Sequence, residues 1–419
     1  MRVPQLMLLL AALGGAPSAL LGQQPTQAAD SLARQVHALQ QRLDSLERIL
    51  SRMPGPKADT ARPPQDELAA LQAAAAAAAG RTDTARADTA APQQFVGRER
   101  NLAQLNPEIS VTGDVRAYGR SPGPQRNSFD PHEFEVGFQS ALDPYSHTKI
   151  FVSLANGEVD IEEGYAYWIG LPGHIRLDAG KFRQQIGELN RWHLHALPET
   201  EYPLALTTYT GDEGLAATGV SAYWAGPSSG ALGVHEFWAQ VTRGTNDSLF
   251  ENGGRPAYLL HVNNFWQVSR AAYFQIGSTG VYGKNGDADV RTRLGGLDFR
   301  LTWRPPAQAL YREWTIRGEL YALRKERAGS GDTRLGGYVG TTYKLGRRWI
   351  AGLHYHYVQS PEGPSSTVRQ VIPSLTFWQS EWVYLRGQYR YQESDLTGTT
   401  HQIAFQAVWA IGPHKHEIY

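Results

Sequence analysis

From residue 107 to the C-terminus, the chain is a succession of segments about ten residues long in which apolar and polar side chains alternate, punctuated by turn residues. Near the end, Ile403, Phe405, Ala407, Trp409 and Ile411 share one parity, and Gln402, Ala404, Gln406 and Val408 the other. Val383, Leu385, Tyr389 and Tyr391 oppose Arg386, Gln388, Arg390 and Gln392 in the same way, and Leu297, Phe299, Leu301 and Trp303 oppose Asp298, Arg300, Thr302 and Arg304. A period of two is a strand period. A soluble sandwich also alternates, but it seldom sets aromatic-rich faces against Arg and Gln in strand after strand. No run of about 18 apolar residues follows Asn106, so a membrane-spanning helix is not expected there. The pattern predicts an all-β fold: a transmembrane antiparallel β-barrel whose outer face meets lipid and whose inner face meets water.

Sixteen strands are expected, at 107–118, 132–143, 146–157, 158–170, 173–183, 214–225, 231–244, 257–269, 271–283, 288–303, 310–325, 334–344, 347–359, 367–379, 381–393 and 400–412. The number is even, as single-chain bacterial barrels require, and sixteen strands leave an aqueous lumen. Alternate connections are short (143–145, 170–173, 269–270, 346–347, 379–380) or long (119–131, 184–213, 245–256, 326–333, 360–366). That asymmetry matches periplasmic turns and external loops, with both termini periplasmic.

The first 106 residues are of another kind. Of 44 aromatic residues, only Phe95 lies among them, so they cannot bury much core. Met1 to Gly22 reads as a signal peptide, with Arg2 at its start, an apolar run from Leu6 to Leu13 and small residues after it. Leu32, Val36, Leu39, Leu43, Leu46, Leu50 and Met53 form a heptad seam over residues 30–53, the pattern of a periplasmic coiled coil, ended by Pro54-Gly55-Pro56. Residues 54–106 are an Ala/Pro-rich, low-complexity linker.

Composition narrows the function. The chain has 40 basic and 40 acidic side chains, and so lacks the basic excess of a nucleic-acid binder. With no cysteine there is no disulfide scaffold, thiolate metal site or Cys nucleophile. The neutral total is a cancellation: residues 107–283 hold 11 basic and 19 acidic side chains, and residues 284–395 hold 17 and 11. In a closed barrel these halves face each other. Parity puts Glu133, Glu135 and Glu236 on the lumen side of the acidic half, and Arg300, Arg317, Lys344, Arg386 and Arg390 on that of the basic half. A basic ladder of this kind suits anions, phosphate included.

The longest connection, 184–213, contains apolar residues and two prolines in a pattern too ordered for an exposed tip, and is expected to fold inward and narrow the pore. Lys181, Arg183, Arg191, Asp212 and Glu213 are the expected constriction residues. His193 and His195 are the candidate metal ligands, with Glu199 and Glu201 as further oxygen donors, and His354 and His356 share a lumen face. The competing reading of these imidazoles is structural, each bonding to backbone. His414 and His416 flank the final turn as surface residues.

Gly180-Lys181-Phe182, Asn190-x-x-His193-x-His195, Pro203-Leu204, Gly211-Asp212-Glu213-Gly214 and the Gly412-Pro413-His414-Lys415 ending resemble bacterial outer-membrane porin-like proteins of the phosphate-selective porin O/P type, part of which is labelled a zinc-regulated outer-membrane receptor. The resemblance covers about residues 107–419. It implies an outer-membrane location, passage of small solutes and assembly as a trimer. Some relatives carry a TonB-dependent label. This chain departs from that pattern, because its first 106 residues cannot form a folded plug.

No G-x-S-x-G elbow, H-E-x-x-H motif or phosphate-cradling Gly loop is present, so no enzyme activity and no cofactor are expected. The main expectation is a porin for passive diffusion of small hydrophilic solutes or ions, homotrimeric through barrel wall and coiled coil. The alternatives are a receptor or channel for zinc or another metal using His193 and His195, and a structural tether between outer membrane and cell wall.

Overall fold

The structure, a computed structural model, describes residues 107–122, 127–155, 158–227, 233–251, 253–286, 290–326, 331–363 and 365–412. The expected signal peptide, coiled coil and linker, and His414 and His416, lie outside the described residues.

Sixteen antiparallel strands close into one barrel: β1 (Glu108–Ser121), β2 (Asn127–Ala141), β3 (Ser146–Ala155), β4 (Glu158–Trp168), β5 (Ile175–Arg183), β6 (Ala216–Ala225), β7 (Val234–Arg243), β8 (Pro256–Ser269), β9 (Ala272–Asn285), β10 (Val290–Trp303), β11 (Trp314–Lys325), β12 (Thr333–Lys344), β13 (Trp349–Gln359), β14 (Thr367–Trp378), β15 (Val383–Ser394) and β16 (Gly398–Ile411). Every strand pairs with its sequence neighbours, and β1 closes on β16 from Val111↔Ile411 to Ser121↔His401. Closure removes the unpaired edges that hydrocarbon would not tolerate.

Alternation holds as expected. Leu297, Leu320, Leu353 and Phe405 are exposed on the outer face, while Asp298, Glu319, His354 and Gln406 are buried inside. Trp168, Trp224, Trp314 and Trp349 are exposed at strand ends on the side bearing both barrel termini. Tyr258, Tyr282 and Tyr389 are exposed nearer the opposite rim. Two aromatic girdles around an apolar band are what a barrel in a bilayer presents.

Departures from the expected boundaries have local causes. β2 begins at Asn127, so the expected connection 119–131 shrinks to 122–126. Asp114 pairs with Glu133 but Arg116 with Asp130, so Pro131-His132 opposes a single β1 residue. A bulge accommodates a proline that cannot donate to the ladder. β11 starts at Trp314, not 310, because a 3-10 turn at Pro306–Gln308 occupies the connection before it. Loop lengths follow the expected asymmetry only in part: 226–233 and 304–313 are long on the terminus side, and 395–397 is short on the other.

The connection 184–215 runs inside the barrel, as expected of an inward constriction loop. It contains 3-10 turns at Leu189–Arg191 and Leu194–Ala196 and helix α1 (Leu204–Thr210). A second short helix, α2 (Asp247–Phe250), lies in the next connection on that side and is capped by Asn246, whose side chain accepts from the Leu249 N–H. Ile186, Leu189, Leu206 and Tyr209 of the loop pack with Leu249 and Phe250 against inward-facing Leu259, Val281, Leu294 and Tyr321. The lumen wall is therefore apolar where the loops dock.

Candidate functional site

Asn190, fully buried, fixes the ends of the inward loop to each other. Its Nδ2 donates to the carbonyls of Gln184 (2.7 Å) and Leu215 (2.9 Å), and its Oδ1 accepts from the Leu215 N–H (2.7 Å). Gly214 beside it has φ 74°, and a Cβ there would stand 2.5 Å from Asn190 Oδ1. Gly180, at φ 138°, brings β5 against β4 where a Cβ would lie 2.3 Å from the Gly164 carbonyl. Both positions require glycine.

From this clamp the loop crosses the lumen, and its charges are complementary to the walls it meets. On the basic side, Glu188 takes Arg300 (2.6 Å) and stands 3.8 Å from Arg317, whose guanidinium lies over the Trp192 ring at 4.8 Å. The backbone N–H groups of Glu188 and Leu189 donate to the Glu319 carboxylate. Arg386 donates to the carbonyls of Leu197 (2.8 Å) and Glu199 (2.6 Å) and to Thr376 and Gln406. Glu201 bridges Arg390 (2.7 Å) and Arg116 (2.6 Å). Tyr384 donates to the His195 carbonyl, and Gln388 to Thr200.

On the acidic side, His193 Nδ1 meets Glu135 (2.5 Å) and Glu162 (3.3 Å), and its Nε2 meets Glu163 (3.4 Å). His195 Nδ1 lies 3.7 Å from Glu133. Glu162 also holds Arg183 (2.7 Å), which donates to the Glu213 carbonyl. Burial alone would lower the His193 imidazole, but Glu135, Glu162 and Glu163 raise it well above the usual histidine range. For Glu201, burial acts upward, and Arg390 and Arg116 overcome it to hold the carboxyl at about 2.

The expected histidine partners are corrected here. Glu199 faces His356 (3.0 Å) and His354 (3.6 Å), not His193 and His195, and Glu201 is taken by arginines. The residues that do surround the two histidines include Glu162 and Glu163, which alternation alone would put on opposite faces. A bulge brings both inward: Phe151 pairs with Glu163 and Val152 with Ile161, leaving Glu162 unpaired. The signal for it was in the sequence, since one of two adjacent glutamates in a lipid-bound strand must otherwise face hydrocarbon.

Lys181, Arg183, Asp212 and Glu213, expected near the constriction, line one polar cavity of about 370 Å3 together with Glu162, Asn246 and Asp247. Lys181 pairs with Asp160 (3.1 Å) at its edge. Arg191 instead turns to Gln185 (3.4 Å). Glu236 accepts from Tyr223 and Asn263 on the wall, and Lys344 ends β12.

A closed sixteen-stranded barrel with a long loop tied inside it has the architecture of bacterial outer-membrane porins and channels. Among solved structures, the chain is similar to the anion-selective porin from Comamonas acidovorans, with 9% identity and a TM-score of 0.53 over 73% of this chain and 99% of that one. It is also similar to the outer membrane channel DcaP of Acinetobacter baumannii, with 13% identity and a TM-score of 0.51 over 73% of this chain and 96% of that one. These likenesses are of fold. An uncharacterized protein of Aquifex aeolicus (strain VF5) is 25% identical over 369 residues, 76% of each chain. No family model matches the chain.

Proposed function

We propose that the protein is an outer-membrane porin through which small hydrophilic solutes or ions diffuse passively. The observation that carries this reading is the inward loop: a closed barrel with a lipid-type outer face has its longest connection clamped across the lumen by paired charges. Such a loop narrows a water column without sealing it by a separate domain, and passage then depends on binding weak enough to release the solute. The cavity lined by Lys181, Arg183, Asp212 and Glu213 is the polar surface a solute meets beside the loop. The exported N-terminal extension and trimeric assembly belong to the same reading, as does membership of the O/P-like branch, which the Gly180–Phe182 and Asn190–His195 residues carry.

An anion preference built on Arg300, Arg317, Arg386 and Arg390 is not what the geometry favours, because all four engage the loop. Nor do the loop histidines suit the passage of a metal as cargo, since His193 and His195 are buried between the loop and the carboxylates of β2 and β4. Purified full-length protein added to a planar bilayer should give stepwise conductance increases. A preparation that inserts and migrates as a folded barrel on unheated gels, yet gives no steps, would refute the channel.

A further inference from the structure

The acidic face beneath the loop gathers four carboxylates around the two loop histidines. Glu133 and Glu135 are neighbours on one face of β2, and the β4 bulge adds Glu162 and Glu163. All four carboxylates are nearly or fully buried, with the Arg183 guanidinium on Glu162 and the His193 imidazole among Glu135, Glu162 and Glu163. Buried carboxylates gathered this closely need compensating cations or bound protons. Donor atoms of Glu133, Glu135 and His195 converge within 4.8 Å of one another. Glu133 Oε2 accepts no hydrogen bond: His195 Nδ1 is 3.7 Å away, and the Glu162 carboxylate lies alongside. Bonds of about 2.0–2.2 Å to a tetrahedral ion set its ligands about 3.4 Å apart, so this spacing suits an ion with little movement.

We propose that Glu133, Glu135 and His195 bind one divalent transition cation of the zinc class, which fastens the constriction loop to the β2 wall. His193, held between Glu135, Glu162 and Glu163, orients the Glu135 carboxylate from behind. The imidazole selects against magnesium and calcium, which take all-oxygen sets. The ion sits where, among the described residues, the loop presents histidines to wall carboxylates, and it is a resident of the fold, not cargo. The site goes beyond the channel reading and does not depend on it.

The test uses untagged full-length protein in detergent, stripped with a chelator, reloaded with zinc or cobalt and desalted. About one equivalent should remain by elemental analysis, and cobalt should show the visible absorption of a low-coordinate nitrogen–oxygen site. Glu133→Gln and His195→Gln should bind at least about tenfold more weakly, while His401→Gln, exposed on β16, should bind as wild type does. Unheated-gel migration confirms that each variant is folded. Folded wild type that retains no more zinc than His195→Gln, or that prefers magnesium, would overturn the proposal. Because binding is read by metal content, a preparation that fails to conduct does not bear on it.

Discussion

Asn190 makes three hydrogen bonds at full burial, all to backbone groups at the two ends of the inward loop. Alanine in its place leaves the Leu215 N–H without its acceptor and the Gln184 and Leu215 carbonyls with only their bonds from the Ile186 and Gln184 N–H groups, and a buried polar group left without a partner costs about 1–3 kcal/mol. The loss falls on the loop, because the β5–β6 ladder from Ile175↔Trp224 to Arg183↔Ala216 does not use the side chain. Asn190→Ala should therefore keep the unheated migration of a closed barrel while protease cuts within 184–215 much faster than in wild type. Equal cleavage rates would show that the clamp is dispensable. At this scale the sequence was legible where parity decides: Glu133, Glu135, Arg300, Arg317, Arg386 and Arg390 all face inward. It was not legible where a bulge breaks parity, which is why Glu162 and Glu163 were missed beside the histidines. Partner choice within the loop was illegible too, since Glu199 and Glu201 lie near His195 in sequence and are carried to β13, β15 and β1 by the extended chain that follows the 3-10 turn Leu194–Ala196.

At the scale of elements, all sixteen strands could be read because lipid on one side and water on the other enforce the period of two. Strand ends were less legible, as at β2, where Pro131 sits in a bulge. The inward-facing apolar residues Leu259, Val281 and Leu294 also break the expected polar lumen, and only the docked helices α1 and α2 explain them. The loop is held apolar at one end and by charge across its middle, so acid should loosen the middle first. Glu201 is held at about 2 against an ordinary 4.5. A depressed carboxyl contributes its stabilisation above the ordinary value and loses it as pH falls toward the folded one. Single-channel current should accordingly be quiet from neutral pH to about 4.5 and grow noisy between there and about 2 as the Arg390 and Arg116 pairs dissolve. Glu201→Gln should show that noise at neutral pH. A quiet Glu201→Gln channel would mean these pairs do not seat the loop.

For the whole molecule, residues 107–283 hold 11 basic and 19 acidic side chains and residues 284–395 hold 17 and 11, and in the closed barrel the strands of one segment stand opposite those of the other. Taken by itself, that segregation suggests a strong transverse field. The inward loop changes the outcome, because it sets Glu188 and Glu201 against the basic wall and His193 and His195 against the acidic one. Charges paired at hydrogen-bond distance contribute little to the field a passing ion feels. At the loop's edge Lys181 and Arg183 are paired with Asp160 and Glu162, beside Asp212, Glu213 and Asp247. Reversal potentials in a KCl gradient should therefore show no anion preference, with cation and anion permeabilities of the same order. Arg386→Ala is the informative variant. As a member of an anion filter, Arg386 would control selectivity, and its loss would move the reversal potential toward cation preference. As a seat for the loop, donating to the Leu197 and Glu199 carbonyls, its loss frees the loop's middle. Conductance and noise should then rise with the reversal potential nearly unchanged. A large shift in reversal potential at constant conductance would restore the filter and remove the seat.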